Sequence, residues 1–395
     1  MIKRIYAMKN IKLLNKIAKI GTDKFDTREF CVGEEVGAPD AIMVRSAAMH
    51  DMTFNKELLA IARAGAGVNN IPVERCAKEG IVVFNTPGAN ANGVKELALC
   101  ALLLASRDVV GGVKFAEGLA DGCPDIAKAV EKGKSAFAGC EVMGKTLGVI
   151  GLGAIGGLVA NSARSLGMNV LGYDPYITVR AAWNLSHSVH NADGYDDVFM
   201  HSDYITLHVP ATETTRGMIN KESIAKMRDG VKIINLARAD LVNMDDLKEA
   251  LASGKVSAYV TDFPTEQSVG VKGIVNIPHL GASTEESEDN CAVMAANELI
   301  DYIKYGNISN SVNYPAVSLA PSGLPRVCVM HLNVANMISP ITSAISKRGI
   351  NIENMTNGSR GDFAYTMLEP VEKVDDDIIK EIESLEGVIR VRAIQ

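Results

Sequence analysis

Apolar residues along this chain gather in short strand-length runs separated by stretches with helical spacing, which is the pattern of strands alternating with helices. Runs at 41–44, 58–62, 81–84, 147–150, 170–173, 204–207, 232–235 and 257–261 read as strands. Residues 1 to about 90 therefore form a small α/β domain, and the later runs form a doubly wound sheet. Residues 93–107 contain KELALCALLLASR, apolar on nearly every side. Such a helix is buried, crossing between domains or packing on a second subunit. Residues 108–144 are polar and glycine-bearing and show no clear period.

The stretch 146–174, TLGVIGLGAIGGLVANSARSLGMNVLGYD, organises the rest. A strand runs into Gly151-Leu152-Gly153-Ala154-Ile155-Gly156; Leu158, Val159, Ala163 and Leu166 follow at helical spacing, and a second strand closes on Asp174. Strand, glycine turn, helix, strand and acid make a dinucleotide-binding unit. Gly151 permits the tight turn, Gly153 lets a pyrophosphate approach the backbone, and Gly156 lets helix and strand pack closely. The helix start offers N–H groups to phosphates. Asp174 would accept from ribose hydroxyls and repel a 2′-phosphate, so the unit prefers NAD to NADP.

Loops after strands are where parallel sheets place ligands. Arg45-Ser46, the 63–67 segment and the 85–90 segment are such loops, and the Gly65-Ala66-Gly67 turn presents bare N–H groups suited to a carboxylate. Three later strand ends carry Arg238 (INLARAD), Glu266 (TDFPTE) and His279 (NIPHLGAST). Removing hydride from an alcohol carbon needs a base for the hydroxyl proton, and imidazole titrates near neutrality. Glu266 on the other ring nitrogen would fix the tautomer of His279, and Arg238 could fork onto a substrate carboxylate. Singly, each also reads as an ordinary loop histidine, solvated charge or surface ion pair.

Composition narrows the classes. The 395 residues are 47% hydrophobic, enough for two or three packed domains. A net charge of −7 with dispersed basic residues argues against nucleic acid or an anionic membrane as partner. The longest apolar stretch, 97–105, is too short to span a bilayer, and MIKRIYAMKN lacks a signal-peptide core. Seven cysteines without a CxxC pair read as reduced thiols in a cytoplasmic protein. No metal site is expected.

VIGLGAIG, TLHVPATETTRGMIN, INLARADLVN, DFPTE and PHLGAST together resemble the D-2-hydroxyacid dehydrogenase family, and the resemblance runs from Arg45 to Asn313. More narrowly, SVNYPAVSLAPSG followed by a C-terminal module resembles the branch that oxidises D-3-phosphoglycerate with NAD in serine biosynthesis. The resemblance implies a Rossmann-type nucleotide domain, 94–282, inserted in a discontinuous flavodoxin-like substrate domain, 1–93 and 283–314. It implies Arg238, Glu266 and His279 as catalytic residues. For NAD it implies Gly151, Gly153, Ala154, Ile155, Gly156, Asp174, His208, Pro210, Leu236, Ala237, Arg238, Asp262, His279, Gly281 and Ala282. For substrate it implies Arg45, Ser46, Gly65, Ala66, Gly67 and Asn90, with Arg45 and Ser46 holding the phosphate. Ala47 stands where phosphate-selective relatives carry a second arginine. That leaves open a glyoxylate or hydroxypyruvate reductase, and a non-catalytic NAD-sensing protein of this fold is the alternative from another class.

After a Pro/Ser/Gly linker at 315–325, residues 326–395 read as strand 327–332, helix 337–347, strands 350–354 and 363–368, helix 375–384 and strand 388–393. This βαββαβ order is ferredoxin-like and resembles the ACT domain. The resemblance implies an L-serine effector held by His331, Asn333 and Asn351, although Ala335-Asn336 replaces the usual Pro-Gly turn. Pairing of such modules would bury sheet edges and favours a homodimer or homotetramer.

Overall fold

The computed structural model describes residues 8–120 and 122–394. Two compact units emerge: one runs to Asn90 and resumes from Glu288 to the C-terminus, and the other is Ala91–Ser287. Residues 315–325 and 326–395, read from the sequence as a linker and a separate module, fall within the first unit.

The first unit opens with a parallel sheet of β1 (Lys9–Leu14), β2 (Phe30–Gly33), β3 (Ala41–Val44), β4 (Ala60–Arg63) and β5 (Val82–Phe84). Its order is β2-β1-β3-β4-β5, the flavodoxin-like arrangement. Strands β1 and β2 are not legible as strands in the sequence: β1 carries two lysines in KNIKLL, and only Phe30 of edge strand β2 is buried. The helix Glu285–Tyr305 returns to this sheet and buries Ala292, Ala295, Ala296, Leu299 and Tyr302 in the core that holds Ile11, Met43 and Phe84.

The second unit is a parallel sheet of β6 (Thr146–Ile150), β7 (Asn169–Tyr173), β8 (Val189–Asn191), β9 (Tyr204–Leu207), β10 (Val231–Asn235), β11 (Val256–Thr261) and β12 (Ile274–Asn276). The order β12-β11-β10-β9-β6-β7-β8 reverses direction between β6 and β9, where open α/β sheets place their ligands. Separate cores lie on its two faces, one built on Leu147 and Val149, the other on Ile150, Ile205 and Leu207. The helix Ala91–Ser106 packs on the helix Ala154–Ser165 and on β10 and β11. It is not buried all round, since Leu103 is 49% exposed. Residues 108–144 contain the helices Val109–Glu117 and Ile126–Gly133, each started by an aspartate that accepts a backbone N–H, Asp108 and Asp125.

Within the first unit, β13 (Arg326–Leu332), β14 (Ile352–Arg360), β15 (Phe363–Pro370) and β16 (Val388–Ile394) form an antiparallel sheet ordered β14-β15-β13-β16, with one helix after β13 and one after β15. This is the ferredoxin-like order. One sheet face packs on its own helices through Val327, Val329, Ile341, Leu368 and Ile378. The opposite face, with Cys328, Met330, Tyr365 and Met367, enters the core that holds Phe84 and Tyr302. The residues read as a linker are fastened as well: Val317 is buried and pairs with Ile308, and Arg326 donates to the carbonyls of Leu319 and Ala320. A stretch rich in Pro, Ser and Gly reads as a linker from composition, but here it is pinned by an arginine further along the chain.

Candidate active site

Gly151 follows β6 with φ of +89°, a conformation that disfavours any side chain. A Cβ on Gly156 would fall 1.9 Å from the Gly151 carbonyl oxygen, so the helix start is pressed onto the strand end. Around Gly153 a Cβ would meet nothing within 4 Å, and among the described residues no side chain caps the helix that begins at Ala154 and Ile155. Open space in front of uncapped N–H groups fits a pyrophosphate. Asp174, expected from the sequence to meet a ribose, braces the glycine turn: its Oδ2 accepts from Leu152 N (2.9 Å) and its Oδ1 from Tyr176 N (2.9 Å).

At the end of β9, His208 Nε2 is 3.0 Å from Thr206 Oγ1. Burial lowers the His208 pKa to about 4, so the ring is neutral. Pro210 accepts Thr215 Oγ1 at 2.5 Å, which shapes the following loop.

After β10, fully buried Asn235 builds the turn that presents Arg238. Its Oδ1 accepts from Ala237 N (3.1 Å) and Arg238 N (3.3 Å), and its Nδ2 donates to Arg238 O (2.8 Å). Arg238 itself is exposed, with Nη1 donating to Ala237 O, while Leu236 is buried beneath. Its guanidinium lies 5.7 Å from the Phe263 ring centre, and that ring is 4.8 Å from the imidazole of His279. Phe263 thus touches both groups expected to react. Neither Asn235 nor Phe263 was singled out from the sequence; the signal available was their place at strand ends, where Asn and aromatic residues are otherwise unremarked.

Asp262 is 2% exposed and accepts from Leu280 N (2.7 Å) and Gly281 N (2.8 Å). It therefore fastens the loop that carries His279 and Ala282 to the end of β11. His279 is exposed and has φ of +56°, an uncommon conformation for a non-glycine residue. Glu266 is exposed in a turn closed by Thr265 N donating to Ser268 Oγ. Among the described residues no hydrogen bond or ion pair joins Glu266 to His279, so the contact expected from the sequence is not formed here. The structure brings Arg238 and His279 each against the Phe263 ring, while Glu266 lies in a turn of its own.

The residues expected from the sequence to meet the substrate lie in the first unit. Arg45 Nη2 is 2.5 Å from Glu288 Oε1, and the N–H groups of Ser46 and Ala47 are taken by Asn15 Oδ1. Gly65 has φ of +152°, and a Cβ there would strike the Arg63 guanidinium at 2.0 Å. The Gly65 N–H is used by Arg63 O, which leaves those of Ala66 and Gly67 without a partner among the described residues. Asn85 Nδ2 donates to Ala66 O, holding that turn, and Asn90 follows in the next loop, partly buried. In the C-terminal sheet, buried His331 has both ring nitrogens occupied, Nδ1 by Leu332 O and Nε2 by Thr366 Oγ1. Asn333 donates to Gly361 O, while Asn351 is exposed. No group of three or more His, Cys, Asp or Glu among the described residues is placed to hold a metal ion, and no described helix is long and apolar enough to cross a membrane.

Residues 117–281 match the family model for the NAD binding domain of D-isomer specific 2-hydroxyacid dehydrogenases. A hydroxypyruvate reductase from Thermotoga maritima is 39% identical over 277 residues, which are 67% of this chain and 83% of that protein. The chain belongs to the D-isomer specific 2-hydroxyacid dehydrogenase family. Within the family, the D-3-phosphoglycerate dehydrogenase of Methanocaldococcus jannaschii is 34% identical over 353 residues, 86% of this chain but 64% of that protein. The chain thus spans less than two thirds of that relative's length. Among solved structures, an NAD+-bound 3-phosphoglycerate dehydrogenase from Entamoeba histolytica superposes with a TM-score of 0.60 at 26% identity, covering 78% of this chain and 99% of that one.

Proposed function

We propose that this protein oxidises D-3-phosphoglycerate at C2 to 3-phosphooxypyruvate with NAD as hydride acceptor, the first step of serine biosynthesis by the phosphorylated route. The observation that carries the reading is Arg238 and His279 both lying against Phe263, the three residues following the adjacent strands β10, β12 and β11 of one parallel sheet. The glycine turn, the helix start and Asp174 would hold NAD, whose nicotinamide takes the hydride when bound. Arg238 forks onto the substrate carboxylate and polarises the neighbouring carbon–oxygen bond. His279 takes the C2 hydroxyl proton as the C2 hydride departs and returns it in reduction. Glu266 then closes on the imidazolium, since such hydrogen bonds often tighten only in the substrate complex.

The 39% identity to a hydroxypyruvate reductase, together with Ala47, favours a second reading in which an unphosphorylated 2-hydroxyacid is the substrate. Comparing kcat/KM for 3-phosphoglycerate and D-glycerate decides between them: a phosphate site should discriminate by about a hundredfold or more. Equal values would discard the phosphorylated substrate. A dimer or tetramer belongs to the same reading, supported by exposed Leu103, Val109, Val110 and Val113 on consecutive helices. For the C-terminal module we infer a structural role over a serine site, because the ring nitrogens of His331 are already satisfied internally. A cytoplasmic location is supported by seven free cysteines.

A further inference from the structure

Arg45 is the cation expected to meet the phosphate, yet it is already paired. Its Nη2 lies 2.5 Å from Glu288 Oε1, and both side chains are 43% exposed, so the pair is open to water and separable. The Arg45 carbonyl accepts Arg63 Nε at 3.0 Å, which brings a second guanidinium to the Arg45 main chain, close enough for the two positive charges to act on each other. Arg63 is half-buried against Gly65, and among the described residues it has no carboxylate within ion-pair distance. Cys291 lies on the same helix as Glu288, and burial raises its thiol pKa, so it adds no charge. The backbone N–H groups of Ser46 and Ala47 are spent on Asn15, so they bring no attraction for an anion. The local balance is two guanidiniums against one carboxylate.

We propose that Glu288 is a specificity-determining counter-ion: it occupies Arg45 when no phosphate is present and opposes a dianionic phosphate monoester there. A neutral hydroxymethyl group at the same place has no charge for Glu288 to oppose. The carboxylate therefore tunes how strongly this chain prefers phosphorylated over unphosphorylated 2-hydroxyacids. A phosphate must displace Glu288 from Arg45 to pair with it, which weakens phosphate binding without touching the carboxylate or hydroxyl end of the substrate. This inference rests on the proposed substrate class.

The test uses the full chain and the variants Glu288→Gln, Arg45→Gln and the double substitution. KM is measured for 3-phosphoglycerate and D-glycerate, and inhibition by inorganic phosphate is measured with either substrate. Glu288→Gln is expected to lower KM for 3-phosphoglycerate and the phosphate inhibition constant by roughly three- to tenfold, the size of a charge interaction at a half-exposed site. The KM for D-glycerate should move by much less. The gain should shrink at high salt and vanish in the Arg45→Gln background. Equal changes for both substrates, no change for either, or a gain that survives without Arg45 overturns the proposal. If the native chain fails to turn over 3-phosphoglycerate, the substrate assignment falls, while the inorganic phosphate arm still decides the role of Glu288. Phosphate that inhibits no variant overturns it too.

Discussion

Asp262 and Gly281 are joined by a 2.8 Å hydrogen bond from the Gly281 N–H to Oδ2, and the other oxygen of the same buried carboxylate takes the Leu280 N–H. The carboxylate thereby sets the position of the loop on which His279 sits. In Asp262→Asn one acceptor becomes an NH2 group facing an N–H donor. An unsatisfied buried donor costs about 1–3 kcal/mol. Turnover is expected to fall at least about tenfold, because misplacing a reacting group by an ångström is enough for that. Steady-state kinetics alongside NAD binding by fluorescence checks it; an unchanged kcat would show that the loop holds itself.

The left-handed backbone of His279 separates chemistry from stability. Replacing His279 with Ala should abolish most turnover while NAD affinity persists, and a non-catalytic NAD sensor would have no turnover to lose. His279→Gly should be equally inactive yet more stable than His279→Ala by about 1 kcal/mol, because glycine accepts φ of +56° without strain. Thermal melts of the two variants read this directly; alanine melting above glycine would contradict it.

His208 gives acid sensitivity. Its folded pKa is lowered by burial to about 4, below the unfolded value of about 6.5. Between those values the unfolded chain binds a proton that the folded chain refuses, so stability falls as pH drops from about 6.5 to 4. The full span is about 3 kcal/mol, and partial exposure of the residue reduces it to about 2. In His208→Gln the melting temperature should depend less on pH in this window, as differential scanning calorimetry can determine.

Glu298 acts at the other end of the scale. It is 5% exposed, Asn310 Nδ2 donates to Oε1, Oε2 has no partner among the described residues, and burial pushes its pKa up to about 8. The folded chain holds a proton that the unfolded chain releases above about pH 4.5, so stability declines from there to pH 8. Glu298→Gln is expected to raise stability at pH 8 by about 2–3 kcal/mol and to change it little at pH 4.5. Urea unfolding at the two pH values tests this; a loss at pH 8 would mean the carboxylate is stabilising.

Arg326 and Glu369 form a buried pair at 2.7 Å, with side chains 4% and 1% exposed. Burial alone would raise the Glu369 carboxyl pKa, but hydrogen bonds from Ser322, Arg326 and Asn354 bring it below the ordinary value. Glu369→Gln leaves a buried guanidinium without its counter-ion and should cost about 3 kcal/mol. Arg326→Met should cost more, because the carbonyls of Tyr305, Leu319 and Ala320 lose their donor as well. Chemical denaturation of both variants gives the order, and the reverse order would count against this account.

The sequence by itself determined the nucleotide-binding unit, because its parts are local: a strand, three glycines, a helix and an acid within thirty residues fix one another through short-range geometry. It likewise displayed the order of the C-terminal module and the strand ends that carry Arg238, Glu266 and His279. Tertiary structure alone decided what touches what across long separations. Asn235 and Phe263 enter the site only because β10 and β11 lie side by side, and Arg45 meets Glu288 only because a helix 243 positions later returns to its sheet. Strands β1 and β2 escaped the reading because pairing in the sheet, not hydrophobic pattern, makes them strands. The supposed linker at 315–325 is held by Arg326, a partner that composition cannot reveal. Long-range contacts form only when the whole fold is in place, and no stretch of the chain carries them alone.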